Sequence, residues 1–416
     1  MSKILILTAG YGEGHNAAAY NLATAFDAAS GTGTARVVDL FALASPRLNH
    51  LARHGYLTVI NRTPKLWSAF YAWIDRSRPF PHHLWVLRHE RRLLVEIIRH
   101  EKPDLICSTY PVYAFLLEQL TATGAINIPY YNIVTDSISI NSLWWLPQCH
   151  GWYLPNEESA QVMADAGRSR DQLHACGFPV QPIFAEQADN LQPPNLAAGH
   201  NPRVLYIINS GSSQAEHTAK LLLAETNWEI TFTVGRDHRL RKKLAQQVAR
   251  RRTTAIVLGW TDQIPQLLMT HHAVVSKAGG ATTQEAIAAR CPMIVNQIIP
   301  GQEEGNYELL RRHDIGAYAP TPESVIGALR LGFEKGGTVW RTWRHQLANL
   351  TRPTAAADIV QHLLSLKSIN KCHLLSDTFS QDPVLTSNTL QHRFKAKCHL
   401  IGDIKNAKNP PVSSHG

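Results

Sequence analysis

Residues 3–8 read Lys-Ile-Leu-Ile-Leu-Thr and run straight into Ala9-Gly10-Tyr11-Gly12-Glu13-Gly14-His15, after which residues 16–29 are rich in Ala and Leu at helical spacing. A short continuous apolar run, a glycine loop and an alanine-rich helix together predict a βα unit whose strand is buried on both faces. Further strand-like runs at 35–38, 104–107 and 130–134 are separated by stretches long enough for crossover helices. That alternation implies a parallel, doubly wound sheet. Between 181 and 201 the pattern breaks at Gln192-Pro193-Pro194-Asn195 and at Gly199-His200-Asn201-Pro202, where an interdomain linker is expected. A second series follows, with a strand at 204–209, a small-residue loop at Ser210-Gly211-Ser212-Ser213, a helix at 216–225 and strands at 230–234, 255–258, 273–276 and 293–296. The expected architecture is therefore α/β, with two Rossmann-like domains spanning 1–185 and 200–366 and facing a cleft. The last regular segment is 355–366, and the polar, mildly basic stretch 367–416 reads as a disordered tail.

Composition narrows the function classes. A chain of 416 residues with 44% hydrophobic and 18% charged residues suits two globular domains. Its net charge of +9 favours a polyanionic partner. The six cysteines show neither CxxC pairs nor zinc-type clustering with histidine and read as reduced thiols. The first apolar run is too short for a signal peptide, and no stretch of about 18 apolar residues occurs, so the chain is expected to be soluble or peripheral. Residues 47–99 interleave Arg47, Arg53, Arg62, Lys65, Arg76, Arg78, Arg88, Arg91, Arg92 and Arg99 with Tyr56, Trp67, Phe70, Tyr71, Trp73, Phe80 and Trp85. Cationic and aromatic residues together suit an anionic lipid interface. No RNP, zinc-finger or basic-zipper pattern accompanies them, so nucleic acid is not the expected partner.

Three glycine loops carry the candidate chemistry. Gly10, Gly12 and Gly14 let a ligand approach the backbone where a helix begins, and His15 at that point is a candidate general base for an attacking alcohol. Lys277-Ala278-Gly279-Gly280-Ala281-Thr282-Thr283-Gln284-Glu285 follows a strand and opens a helix. Its start can hold the diphosphate of a nucleotide sugar, and Glu285 can bind the ribose hydroxyls. Pro300-Gly301-Gln302-Glu303-Glu304-Gly305-Asn306 offers amide and carboxylate groups suited to sugar hydroxyls. A capping histidine, a carboxylate that only complements a helix dipole, and solvated loop acids are the plainer readings of the same residues. The chain contains no Asp-x-Asp pair, so no metal site and no cofactor are expected, the helix start serving the diphosphate instead.

Taken in order, Gly12-Glu13-Gly14-His15, Val134-Thr135-Asp136 before Trp144, Leu258-Gly259-Trp260-Thr261, Gly279-Gly280 with Glu285, and Pro300-Gly301-Gln302-Glu303 with Asn306 resemble the diacylglycerol glycosyltransferases and monogalactosyldiacylglycerol synthases. These are cousins of the peptidoglycan UDP-GlcNAc transferase. The resemblance, over roughly residues 1–365, implies a GT-B fold, a lipid acceptor held by the first domain, a UDP-sugar held by the second, and inversion at the anomeric carbon. It implies His15 as base, Thr283 and Glu285 as phosphate and ribose contacts, Gln302 and Glu303 as donor-sugar contacts, Ser210 to Ser213 as a diphosphate loop, and Trp260 as part of the uracil pocket, a buried core tryptophan being the alternative. Gly14, Thr282 and Asn306 join the donor set. Arg62, Lys65, Trp67, Trp73, Trp85 and Trp144 form the expected membrane and acceptor side, placing the chain peripherally on the cytoplasmic face of the membrane.

Relatives often carry a histidine between the Thr-Asp pair and the tryptophan. Here Ser137 to Leu143 contains none and Asn141 cannot transfer a proton, so Asp136 becomes a second candidate beside His15, with a loop-capping role as its alternative. A transferase to a polyprenyl-linked or other acceptor, a UDP-GlcNAc 2-epimerase and a non-catalytic lipid- or RNA-binding module are the competing functions.

Overall fold

The computed structural model describes residues 3–366 except 48, 53–54, 56–58, 60–62, 78–82, 210–213, 251–253 and 302, with backbone alone at 64–67 and 70–71. Two six-stranded sheets form, in the orders β2-β1-β3-β4-β5-β6 and β12-β11-β10-β7-β8-β9, and every pairing is parallel. In the first, β1 (Ile4–Thr8) and β2 (Ala35–Asp39) precede β3 (Leu105–Ser108), β4 (Tyr130–Ile133), β5 (Gly151–Tyr153) and β6 (Leu173–His174). The second comprises β7 (Arg203–Ile207), β8 (Glu229–Thr233), β9 (Ala255–Leu258), β10 (Ala273–Lys277), β11 (Met293–Gln297) and β12 (Ala317–Tyr318).

The inner strands are buried and mainly apolar because helices cover both faces, with single polar residues such as Ser108, Asn132 and Ser276 among them. On β1, Leu5 and Leu7 pack into one cluster with Leu94, Ile97 and Leu116, while Ile4 and Ile6 face the other side with Leu22 and Phe26. The second sheet repeats the alternation, Val204 and Tyr206 facing one cluster and Leu205 the other.

Helix Ala355–Ser365 crosses back to the first sheet. Its Ala356, Ile359, Val360 and Leu363, spaced to share one helical face, pack against Ile4, Ile6 and Phe26. A span of 200–366 for the second domain therefore omits this return, which helical periodicity alone does not reveal. The four described cysteines are free thiols. The expected tail at 367–416 lies outside the described residues.

The loop after β4 bridges the two halves. Ile138 has φ +58°, an uncommon conformation for a β-branched residue, and packs with Ala286 and Leu309 of the second half. The Gln284 side-chain amide donates to Ser137 Oγ at 3.0 Å. Gly305 lies so close that a Cβ there would sit 1.9 Å from the Ser137 carbonyl oxygen. The oxygen is backbone and a Cβ is fixed by its own backbone, so no rotamer change relieves the contact. Gly305→Ala is expected to lower unfolding stability by about 1–3 kcal/mol, whereas Gly327→Ala, in open space on helix Pro322–Leu350, should raise it by roughly 0.5–1 kcal/mol. Urea denaturation of the two variants side by side checks both signs.

Candidate active site

In an open parallel sheet the crevice forms where neighbouring strands send their connections to opposite sides. The strand orders place these points between β1 and β3 and between β7 and β10. The loop after β1 carries Gly10 to Gly14, and the one after β10 carries Ala278 to Gly280. The loop after β7, Ser210 to Ser213, lies outside the described residues, as do Gln302 and Arg62.

Two helix starts meet in the crevice. Helix Glu13–Ser30 begins behind Gly12, whose φ of +126° favours glycine, and helix Gly280–Ala288 begins behind Gly279; neither has a side-chain cap. A Cβ on Gly14 would lie 3.7 Å from the Ala281 backbone nitrogen, and one on Gly280 would lie 3.1 Å from the Thr135 carbonyl oxygen. The positive ends of two helix dipoles, each with N–H groups lacking an intrahelical partner, thus face one space. Lys277 places its ammonium beside Gly279, its Nζ 3.4 Å from where a Cβ would stand, with Glu303 as its paired carboxylate. Asp39 fixes the first loop by accepting from Gly10 N at 3.0 Å while capping helix Leu40–Ala44 through Ala42 N.

His15 Nδ1 lies 2.8 Å from the Thr109 carbonyl oxygen and 2.9 Å from Thr135 Oγ1. A carbonyl only accepts, so Nδ1 carries the proton and donates it, which leaves Nε2 with a lone pair. Nε2 has no hydrogen bond among the described residues. Burial lowers the imidazole pKa to about 4, partly opposed by the Thr109 bond, so His15 is neutral at ordinary pH.

Asp136, next to Thr135, accepts from the Trp144 indole N–H at 2.7 Å, and the Trp144 ring centre lies 6.2 Å from that of His15. Burial raises the Asp136 carboxyl to about 6 against the opposing indole bond. Trp144 is only 1% exposed. Its expected membrane or acceptor role is corrected, since the indole is core and serves to hold Asp136. Asn141, also buried, caps helix Ser142–Trp145 by accepting from Leu143 N at 3.1 Å.

On the second half, the helix begins at Gly280, which puts Glu285 in the second turn and removes its reading as a first-turn dipole complement. Glu285 lies on the face shared with Ala281 and Thr282, the side turned to Gly14. Its carboxylate makes no hydrogen bond among the described residues, and burial raises it to about 7. Thr283, roughly 100° round the helix from Thr282 and roughly 160° from Ala281 and Glu285, points away from that face. It is fully buried with Oγ1 3.8 Å from Met293 Sδ, so its expected phosphate contact is corrected; Thr282, half-buried on the cleft side, is the hydroxyl that remains.

Glu303 is also corrected as a sugar contact. It is 4% exposed, ion-paired to Lys277, and accepts from Ile299 N at 3.0 Å. A buried carboxylate needs such partners, and this one holds Lys277 against the Gly279 loop. Asn306 Nδ2 donates to the Ala278 carbonyl at 3.1 Å, bracing the same loop, while its buried Oδ1 has no partner among the described residues. Trp260 is 58% exposed after the edge strand β9, which excludes a core role. Lys277 and Thr135 stand inside motifs read from the sequence but carried no role there, Lys277 being marked as a cation that ends a buried strand just before paired glycines; Asp39 and Thr109 left no sequence signal.

In the first half Leu51, Trp73, Trp85 and Val86 are exposed large apolar side chains, and Arg47, Arg76, Arg88 and Arg92 of the same stretch of chain are exposed as well. The side chains of Lys65 and Trp67 lie outside the described residues. Among the described residues no helix is long and apolar enough to cross a membrane, and no group of three or more His, Cys, Asp or Glu is placed to hold a metal ion.

Comparison with known proteins supports the resemblance read in the sequence. Residues 15–180 match the family described as monogalactosyldiacylglycerol (MGDG) synthase. A processive diacylglycerol beta-glucosyltransferase of Bacillus cereus (strain B4264) is 25% identical over 308 residues, covering 73% of this chain and 78% of its own length. A putative UDP-N-acetylglucosamine 2-epimerase from Listeria monocytogenes superposes with a TM-score of 0.56 at 11% identity, over 88% of this chain and 96% of its own. A UDP-glucosyltransferase from Polygonum tinctorium gives a TM-score of 0.54 at 12% identity, over 88% and 99%. The fold is GT-B.

Glu285 makes a testable link between site and stability. Its folded pKa of about 7 lies above the ordinary 4.5, so the folded state binds the proton more tightly and stability rises as pH falls through 7, levelling below 4.5. Glu285→Gln should therefore raise Tm above pH 7 and leave it unchanged near pH 4; thermal unfolding at the two pH values reads this out.

Proposed function

We propose that the chain is an inverting glycosyltransferase that moves a hexose from a UDP-sugar to diacylglycerol, docked on the cytoplasmic face of a membrane through its Trp73 and Trp85 surface. The meeting of two uncapped helix starts at Gly14 and Ala281, with His15 on one side and Glu285 on the other, carries this reading. Such a junction attracts an anion, and a diphosphate offers oxygens to both sets of N–H groups. Its negative charge would also draw on Lys277. Glu285, without a partner among the described residues, would accept from the ribose hydroxyls.

The chemistry then follows from His15. The acceptor hydroxyl attacks the anomeric carbon and passes its proton to Nε2, while the bond from that carbon to the diphosphate oxygen breaks and UDP leaves with the electron pair. Thr109 keeps the imidazole in the tautomer that can accept. Asp136 as carboxylate stabilises the imidazolium that forms, offsetting a pocket that disfavours charge on His15. The helix starts and Lys277 stabilise the leaving diphosphate, and no divalent ion is required. Exposed tryptophans in a stretch rich in exposed arginines suit anionic headgroups over an apolar interior.

The deciding experiment incubates a panel of UDP-hexoses with diacylglycerol in anionic vesicles and analyses UDP and lipid by mass. A hexosyl-diacylglycerol product bears out the reading. Hexose on a different lipid carrier would move the acceptor, an isomerised UDP-sugar made without lipid would turn the chain into an epimerase, and no donor consumed or bound would end the proposal. Chelation of divalent ions is expected to leave the rate unchanged.

His15→Ala should lower kcat by about 10²–10⁴-fold with UDP affinity unchanged; equal losses in both would rule out a base. Because Asp136 must be ionised to assist, the rate should fall as pH drops through about 6. Asp136→Asn should abolish that limb of the pH profile.

A further inference from the structure

Helix Pro64–Ser77 carries the exposed Trp73 and, two residues on, Asp75. An acidic side chain in a last helical turn faces the negative end of the dipole, an arrangement that is normally unfavourable. The structure gives this one a partner. Asp75 Oδ1 accepts from the backbone N–H of Ser142 at 2.6 Å, and Ser142 Oγ donates to the Asp75 carbonyl oxygen at 3.3 Å. Ser142 is 1% exposed and opens helix Ser142–Trp145, so its N–H would otherwise be buried unpaired.

That short helix sets Trp144. The Trp144 carbonyl accepts from the Trp152 indole at 2.8 Å, and the Trp144 indole donates to Asp136 at 2.7 Å. Thr135, adjacent to Asp136, lies 2.9 Å from His15 Nδ1 through its hydroxyl. A continuous set of direct contacts thus runs from a helix exposing tryptophan to the two candidate proton-handling groups, with Asp75 as its link to the outer helix.

We propose that Asp75 is a positioning residue that couples the seating of helix Pro64–Ser77 on a lipid surface to the orientation of Asp136, whose neighbour Thr135 meets His15. This rests on the transferase reading above. Bound lipid fixes the Trp73 helix, Asp75 then fixes the start of helix Ser142–Trp145, and Trp144 holds Asp136 where it assists proton transfer. Off the surface, the outer helix is less restrained and Asp136 is held less firmly, which limits wasteful donor hydrolysis.

The test compares wild type, Asp75→Ala and Asp75→Asn, the amide keeping an acceptor oxygen for Ser142 N–H. Amide hydrogen exchange at 142–145 is followed with and without anionic diacylglycerol vesicles, alongside vesicle binding, donor KM, kcat and the pH profile. Vesicles should slow exchange in wild type and Asp75→Asn but not in Asp75→Ala. The alanine variant should lose about 10- to 100-fold in kcat, with vesicle binding and donor KM unchanged and the acid limb displaced, and the asparagine variant should recover most of the rate. Full kcat at saturating vesicles in Asp75→Ala would overturn the coupling. So would parallel losses in Tm, donor KM and kcat that asparagine does not rescue. If wild type transfers no hexose to diacylglycerol, the acceptor reading fails separately, and the exchange comparison still decides whether Asp75 transmits lipid contact.

Discussion

A helix start without a side-chain cap leaves N–H groups directed at whatever lies ahead of it, and here two such starts, at Glu13 and Gly280, close on each other. Two positive dipole ends do not attract, so apolar and hydrogen-bonded contacts elsewhere hold the halves together. Ile138 inserted among Ala286 and Leu309, Gln284 bonded to Ser137, and the close seat of Gly305 under the Ser137 carbonyl form one such set. Helix Ala355–Ser365, packed on the first sheet, ties the end of the described chain to its beginning. The cleft is prepared for an anion by contacts that lie beside it.

Charge in the site follows the same division. Burial disfavours ionisation of His15, Asp136 and Glu285 alike, lowering the first and raising the other two. Groups held this way cost the free protein stability at any pH where they would otherwise be charged, and they respond to a ligand that supplies a missing partner. Lys277 and Glu303 behave differently, since they already pair, and Glu303 gains a second donor in Ile299 N. A carboxylate so satisfied serves the loop, whereas Glu285, without such partners among the described residues, is available to a ligand.

The sequence made the framework legible because strand, glycine loop and helix leave a local signature, and both halves begin with it. The strand–loop junctions at Gly10–His15 and Gly279–Glu285 fall at the crevice for that reason. Side-chain direction was less accessible. Thr282 and Thr283 read alike in a string of letters, and only the helical start at Gly280 turns one toward Gly14 and the other toward Met293. Trp144 looked like an interfacial aromatic, yet its burial follows from the packing of β4 and β5 beneath it, a tertiary fact without a local mark. Asp75 left no sequence signal because its meaning depends on a partner 67 residues away.

The strain at Ile138 fits this picture. A β-branched residue in the left-handed region costs about 1–3 kcal/mol and persists only where its surroundings fix it. Here Ile138 N donates to Ser159 Oγ at 2.9 Å while the side chain enters the second half's core. The same short loop supplies Thr135 to His15 and Asp136 to Trp144. A relaxed loop with Ile138 turned back toward the first half would forgo its packing against the second, and the residues that serve His15 would lose their reference point. The energy stored in one backbone dihedral is thereby exchanged for register between the proton-handling side of the cleft and its diphosphate side.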